Sequence, residues 1–135
     1  MLAGFEAVTE RIIGCAIEVH RHTGPGLLES VYEACLAREF KAAHLEFERQ
    51  VALPIVYKGE PLDCAFRIDF VVAHHVLVEV KSVEHMLEVH KAQVITYLRL
   101  SGLPVGLLIN FNVPVLRSGV RRLLRSPTAE PIPSP

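Results

Sequence analysis

The sequence predicts an α/β fold with a central mixed β-sheet flanked by helices, in the order ααβββαβ plus a short C-terminal element. The first observation is a change of hydrophobic period, from helical spacing over residues 5–43 to alternation over residues 45–83. The second is a helix-length segment between two strand-like runs, which has the length of a crossover to a parallel neighbour. Apolar residues make up 50% of the 135-residue chain, so one core of single-domain size is predicted.

Two helices are predicted before the sheet. Apolar residues recur at helical spacing from Phe5 to His20, opposite a set of charged positions. The segment Thr23-Gly24-Pro25-Gly26 then breaks the pattern. A second helical pattern follows from Leu27 to Ala43.

Three strands are predicted next. Apolar residues alternate with mostly polar ones from Leu45 to Tyr57, and Lys58-Gly59-Glu60 supplies a turn. Leu62 to Val72 alternates in the same way and is followed by the β-branched run Val76 to Val83. The short connection Ala73-His74-His75 predicts that these last two strands pair as a hairpin.

The remaining elements are a helix, a strand and an undecided piece. Met86 to Leu100 contains no Gly or Pro and is followed by Ser101-Gly102, as is common where a helix ends. Val105 to Phe111 is apolar on both faces, which is typical of a buried strand. For Val113 to Leu124 two interpretations remain open, a short edge strand or a turn plus a helix.

The domain organisation follows from composition. Residues 1–125 are predicted to form a single domain, and the proline-rich residues 126–135 a disordered tail. The chain has an odd number of cysteines and no C-x-x-C pair, its first residues do not show the pattern expected of a secretory leader, and no uncharged apolar run reaches the roughly 18 residues that span a bilayer. We therefore expect a soluble, cytoplasmic protein that does not contact a membrane, with Cys15, Cys35 and Cys64 reduced and buried.

The formal net charge is −1, so the chain lacks the basic excess of many nucleic-acid binders. Any attraction to phosphate must therefore come from a local patch of charge. Composition alone is neutral about a nucleic-acid partner.

One group of residues predicts chemistry. Glu79 and Lys81 are two positions apart on a strand and therefore point the same way, and the hairpin brings Asp69 near Glu79 or its neighbour. Two carboxylates on a sheet of valine and isoleucine lose solvation and repel each other. A hard cation such as Mg²⁺ would compensate, with the carbonyl of Val80 as a further oxygen ligand. Such a cation beside Lys81 would suit attack of water on a phosphodiester.

The spacing of these residues resembles a known pattern. Asp69 followed after a hairpin by Glu79-Val80-Lys81 resembles the D…(D/E)-x-K core of the PD-(D/E)xK nuclease superfamily, although Ile68 stands where the family has a proline. Gly26-Leu27-Leu28-Glu29-Ser30-Val31-Tyr32 resembles the signature of the GxxExxY proteins of that superfamily. The resemblance runs from about residue 9 to residue 124.

The resemblance implies a restriction-endonuclease-like core and a nuclease that depends on Mg²⁺ or Mn²⁺. It implies that the two strand acids bind the metal and that Lys81 assists the water. It also implies that Glu29 adds a helix-borne ligand, and that Gln93 and Tyr97, which match a QxxxY motif, position substrate or lysine. Residues four apart share a helix face, so both can reach the sheet. The implied partner is nucleic acid, with DNA favoured over RNA.

Each of these assignments has a simpler alternative. The two strand carboxylates could form an ordinary salt bridge with Lys81 or Arg67 on a solvated face. Glu29, near a helix start, could act only through its favourable interaction with the helix dipole. For Gln93 and Tyr97 the alternative is a surface amide and a partly buried core tyrosine.

Two other functional classes stay open at this point. The first is a noncatalytic nucleic-acid or protein-interaction module that keeps the nuclease scaffold. The second is a structural subunit such as a homodimer, because a small domain with positive mean hydropathy can leave apolar surface for a partner.

Overall fold

The computed structural model describes residues 3–126, in which three α-helices flank a five-stranded mixed sheet. The elements are α1 (Ala3–Thr23), α2 (Glu29–Ala42), β1 (Phe47–Tyr57), β2 (Glu60–Val72), β3 (Val76–Lys81), α3 (Glu88–Ser101), β4 (Val105–Asn110), a 3₁₀ turn (Leu116–Gly119) and β5 (Val120–Leu124). The predicted fold class and element order are confirmed. The undecided C-terminal piece is a turn followed by an edge strand, and residues 127–135 of the expected disordered tail lie outside the described residues.

The sheet follows the chain, with the strand order β1-β2-β3-β4-β5. The pairs β1–β2, β2–β3 and β4–β5 are antiparallel, whereas β3 and β4 are parallel. Helix α3 makes the crossover between these two parallel strands, because parallel neighbours cannot be joined by a tight turn. Both the predicted hairpin and the predicted crossover are confirmed.

Two apolar clusters lie on opposite faces of the sheet. On one face, α1 and α2 pack against alternate residues of β3 such as Val78 and Val80. On the other face, α3 packs against Leu77 of β3 and Leu108 of β4. All residues of β3 except Lys81 are buried, as are all of β4, which explains why both strands are rich in apolar residues on both faces.

Strand β2 changes faces in its middle. Phe66 and Ile68 pack in the α3 cluster, whereas Phe70 and Val72 pack with α1 and α2. Residues two apart share one face of a regular strand, so β2 must rotate at Asp69.

Strand β1 changes faces at the same level. Phe47 packs with the α1 and α2 cluster, while Val51 and Leu53 pack with the α3 cluster. Between them, Gln50 has a left-handed backbone with φ of 55°. The uninterrupted alternation expected from the sequence is therefore wrong at this level of both strands.

The cysteine prediction is correct only in part. Cys15 is buried, Cys35 is partly buried, and Cys64 is exposed on β2, with all three thiols free. Among residues 3–126, no helix has both the length and the apolar character needed to cross a bilayer.

Candidate active site

Strands β2 and β3 separate beside Asp69, and we call this point the fork. Backbone pairing between the strands ends at Phe70 and Val78. Beyond this pair, the Val80 N–H donates to Asp69 Oδ2 (2.8 Å), and the Asp69 N–H donates to Glu79 Oε1 (3.1 Å). The two carboxylates therefore satisfy backbone groups that the missing ladder would otherwise leave unpaired.

Both fork carboxylates are costly to ionise. Glu79 is only 5% exposed, and burial followed by the charge of Asp69 raises its pKa to about 8. Burial also raises the pKa of Asp69 to about 6, against the lowering effect of the Val80 N–H, with a further rise from the charge of Glu33. Lys81 lowers both pKa values without cancelling the effect of burial. The fork is thus a site where a cation would be stabilised.

Lys81 leaves the sheet on the face covered by α3. Its Nζ donates to Gln93 Oε1 (3.3 Å). Tyr97, one helical turn after Gln93, is 4% exposed and packs its ring on Phe66, with centroids 5.2 Å apart. Burial raises the pKa of Tyr97 first, and the charges of the two fork acids raise it further, while a hydrogen bond with Gln93 lowers it. Both α3 residues therefore reach the sheet beside the fork.

Within residues 3–126, neither Lys81 nor Arg67 lies within ion-pair distance of the fork carboxylates. Asp69 and Glu79 therefore do not form the salt bridge with Lys81 or Arg67 that was the alternative from the sequence. The fork carboxylates instead bond to backbone amides.

Glu29 lies in the first turn of α2, turned toward the end of β3. Its Oε2 accepts the Ser82 N–H (3.1 Å), and the Ser82 hydroxyl donates to the Leu27 carbonyl (2.6 Å). The charge of Glu29 contributes to the raised pKa of Glu79, so the two groups share one electrostatic environment. In the part of the chain that the structure describes, no three His, Cys, Asp or Glu groups converge closely enough to hold a metal ion. The structure thus brings two of the three expected acids together and leaves Glu29 bonded to Ser82.

The Tyr32 side chain fixes the loop that precedes Glu29. Its hydroxyl donates to the Gly24 carbonyl (2.6 Å) and accepts the Leu27 N–H (3.2 Å). Its ring stacks on Phe111, with centroids 4.5 Å apart. Tyr32 therefore holds the loop between Gly24 and Leu27, directly before α2 begins.

Three polar residues that the sequence reasoning did not include extend the site. Glu33 of α2, only 9% exposed, accepts the Arg49 Nε–H (2.8 Å) and a hydrogen bond from Gln50 Nε2. Gln50 Nε2 also lies 3.4 Å from Asp69 Oδ1. One signal was available, because Glu33 follows Glu29 by four residues and so lies on the same helix face.

Asn110, at the end of β4, was also missed. It is 3% exposed, and its amide accepts the Val83 N–H (3.0 Å) and donates to the Val83 carbonyl (2.9 Å). It thereby holds the segment that leaves the fork after Lys81.

A family model described as the PD-(D/E)XK nuclease superfamily matches residues 6–123. The chain belongs to that superfamily. No curated protein and no solved structure matched the chain. The matched range contains β1 to β4 entirely and therefore includes the fork.

The donor atoms at the fork of this PD-(D/E)XK domain fit a hard divalent cation. Asp69 and Glu79 supply carboxylate oxygens, the ligands that Mg²⁺ prefers. The N–H and C=O of one strand residue lie on the same edge, so the carbonyl of Val80 faces the fork with its N–H. A cation there would relieve the repulsion from Asp69 that helps to raise the pKa of Glu79.

Proposed function

We propose that this protein is a divalent-metal-dependent nuclease that hydrolyses phosphodiester bonds of nucleic acid. The observation that carries the proposal is the fork, where the buried Glu79 lies beside the partly buried Asp69 and each accepts a hydrogen bond from the other strand. Membership of the nuclease superfamily supports it. The contacts of Tyr32 with the loop before α2 support the finer assignment to the GxxExxY group.

Each residue of the proposed site has a distinct role. Asp69, Glu79 and the Val80 carbonyl would hold Mg²⁺ or Mn²⁺, with Glu29 as an additional ligand. When bound, the cation would supply Lewis acidity and neutralise charge at the phosphate. Lys81 would orient the attacking water through its ammonium group, whose position its bond to Gln93 Oε1 fixes.

Gln93 and Tyr97 of α3 would position Lys81 and would not bind the metal. Tyr97 packs its ring on Phe66 of β2, and its hydroxyl forms a hydrogen bond with Gln93 that holds the Gln93 side chain in place. Gln93 can then keep the Lys81 ammonium beside the fork carboxylates. We propose that this pair positions the lysine, and through it the water.

We propose DNA as the substrate, in a cytoplasmic setting, with residues 1–125 acting as one domain. A net charge of −1 provides little general attraction to phosphate, so binding must depend on local groups beside the fork.

A noncatalytic nucleic-acid-binding module is the second candidate. The position of Glu29 favours it, because this acid is bonded to Ser82 and does not complete a three-acid cluster with the fork. Binding of single-stranded and duplex substrates without turnover, across several metals, would support this candidate against the nuclease.

The decisive variant is Lys81→Ala. Removing the ammonium should lower Mg²⁺- or Mn²⁺-supported cleavage by about 10²-fold or more, since positioned proton-transfer groups contribute on this scale. The thermal midpoint should shift little, because Lys81 lies at a strand end and is only partly buried. Gel-based cleavage of labelled DNA and a thermal melt measure the two quantities.

Lys91→Ala is the matched control. Lys91 also lies on the α3 side of the molecule but pairs with Glu88, which is 90% exposed, so cleavage should stay at the wild-type rate. Metal-dependent cleavage that persists unchanged in Lys81→Ala would refute the assignment. A crystal structure grown with Mn²⁺ adds a direct test, because anomalous signal between Asp69 and Glu79 is expected.

A further inference from the structure

Gln50 has a strained backbone conformation directly across from Asp69. Its neighbours Arg49 and Val51 pair with Phe70 and Ile68, so Gln50 stands at the level where both strands rotate. A φ of 55° is uncommon for a residue with a side chain, because the Cβ atom then lies too close to the following carbonyl oxygen. Such strain persists only where surrounding contacts hold it.

The strained backbone turns the Gln50 amide toward two carboxylates. Its Nε2 donates to Glu33 Oε1 and lies 3.4 Å from Asp69 Oδ1. Glu33 is buried and uses its second oxygen for Arg49, so both of its oxygens are occupied and its side chain is fixed. A fixed carboxylate therefore holds the amide that faces the fork.

We propose that Gln50, held by Glu33, is a positioning residue that fixes the carboxylate of Asp69. Asp69 is then held at both oxygens, by the Val80 N–H at Oδ2 and by the Gln50 amide at Oδ1. Each carboxylate oxygen has two lone pairs, so these hydrogen bonds leave acceptor capacity for a ligand. The relevance to metal binding rests on the proposed function, whereas the orientation of Asp69 does not.

The test separates the side chain of Gln50 from its backbone. Gln50→Gly removes the amide but suits a left-handed backbone, so the fold should be retained with an equal or higher thermal midpoint. Lys58→Gly is the matched control. Lys58 has φ of 51° and lies in the exposed turn of the same hairpin, with its Nζ 5.5 Å from the centroid of the Tyr57 ring.

The first readout is hydrogen exchange of the Val80 amide, whose acceptor is Asp69 Oδ2. We expect its protection to fall about tenfold in Gln50→Gly and to stay unchanged in Lys58→Gly, because an unfixed acceptor opens more often. The second readout is Mn²⁺ binding by calorimetry, where loss of a residue that orients a ligand raises the Kd about 10-fold or more.

The outcomes distinguish this inference from the proposed function. Unchanged Val80 protection in Gln50→Gly overturns the positioning role, whatever the protein does to nucleic acid. A wild-type protein that binds no Mn²⁺ removes the proposed nuclease, while selective loss of Val80 protection still supports the positioning of Asp69. Equal loss of protection in both glycine variants overturns the inference, because it would reflect a general loosening of the hairpin.

Discussion

Strand β3 has two edges that differ in almost every respect. Toward β4 it pairs over its whole length, from Val76 opposite Val105 to Lys81 opposite Asn110. Toward β2 it pairs over three residues and then meets the fork, where carboxylates replace backbone partners. The comparison shows that Asp69 and Glu79 lie where the β2–β3 ladder is missing. The complete ladder with β4 holds β3 in place on its other edge.

The two edges also differ in their expected effect on stability. The β4 edge is apolar and buried on both faces, so it should provide most of the stabilisation. The fork places the buried Glu79 beside the partly buried Asp69, which lowers the stability of the folded state wherever the two groups are charged. The predictions below test this division, from the largest expected effect to the smallest.

Leu107→Ala should have the largest effect. Leu107 is fully buried in β4, and removal of a buried leucine side chain costs about 2–5 kcal/mol because it leaves a cavity. Denaturant unfolding measures the loss. Leu124→Ala on β5, where the side chain is 47% exposed, is the control and should cost much less. Equal losses at the two sites would contradict the stabilising role of the β4 edge.

Glu79→Gln should stabilise the metal-free protein at high pH. The folded pKa of about 8 lies above the ordinary value of 4.5, so the folded state holds more protons between these values. Wild-type stability should therefore fall as pH rises from 4.5 to 8, and the variant should lack most of that slope. Each pKa unit corresponds to about 1.4 kcal/mol, so the slope that the variant should lack is at most about 1.4 kcal/mol per pH unit within this window.

Chemical denaturation across this pH range, with chelator present, measures the Glu79 effect. Glu88→Gln is the matched control, since Glu88 is 90% exposed and its substitution should leave the pH profile as it is. A wild-type protein whose stability rises through the same window would contradict the raised pKa of Glu79.

Tyr32→Phe should have a smaller effect, confined to the approach to the fork. The change removes the donor to the Gly24 carbonyl and the acceptor of the Leu27 N–H, while the stack on Phe111 is kept. We expect a loss of about 1 kcal/mol in the free energy of unfolding. Exchange of the Ser82 amide, bonded to Glu29, should quicken as well, and an unaltered rate would show that the loop does not set the position of Glu29.

Arg117→Ala should have the smallest effect. Arg117 and Glu10 form an ion pair in which both side chains are about 60% exposed, and pairs of this kind contribute about 0–1 kcal/mol. Unfolding in denaturant at low and high salt should show a difference within that range, reduced by salt. A loss of unfolding free energy as large as that of Leu107→Ala would contradict the expectation that buried apolar residues stabilise the fold more than surface ion pairs.

Much of the fold could be predicted from the sequence, because it depends on local periodicity. The apolar run of β3, the hairpin before it and the crossover through α3 follow from spacing and loop length alone. The neighbourhood of Asp69 and Glu79 followed from the same hairpin. The role of each site residue remains a prediction, which the proposed experiments test.

The missed features depend on long-range contacts. The left-handed backbone at Gln50 could not be predicted from the sequence, because glycine and asparagine are the residues that usually adopt this conformation. The rotation of β2 at Asp69 arises from packing of its two halves against different helices, which period two cannot show. In the sequence, Glu33 has the pattern of an exposed charged residue on a helix. Its role depends on hydrogen bonds with Arg49 and Gln50, which lie on a different element.

The amide of Asn110 bonds to Val83 with one donor and one acceptor, as a peptide group would. The backbone ladder between β3 and β4 ends at Lys81, and the Asn110 side chain extends the hydrogen bonding with β4 to Val83, two residues further along. An aspartate would lack the donor, and a leucine would lack both groups. The backbone that leaves the fork is thus held by hydrogen bonds although it is a loop. The positions of Ser82 and Val83 relative to the fork are therefore constrained.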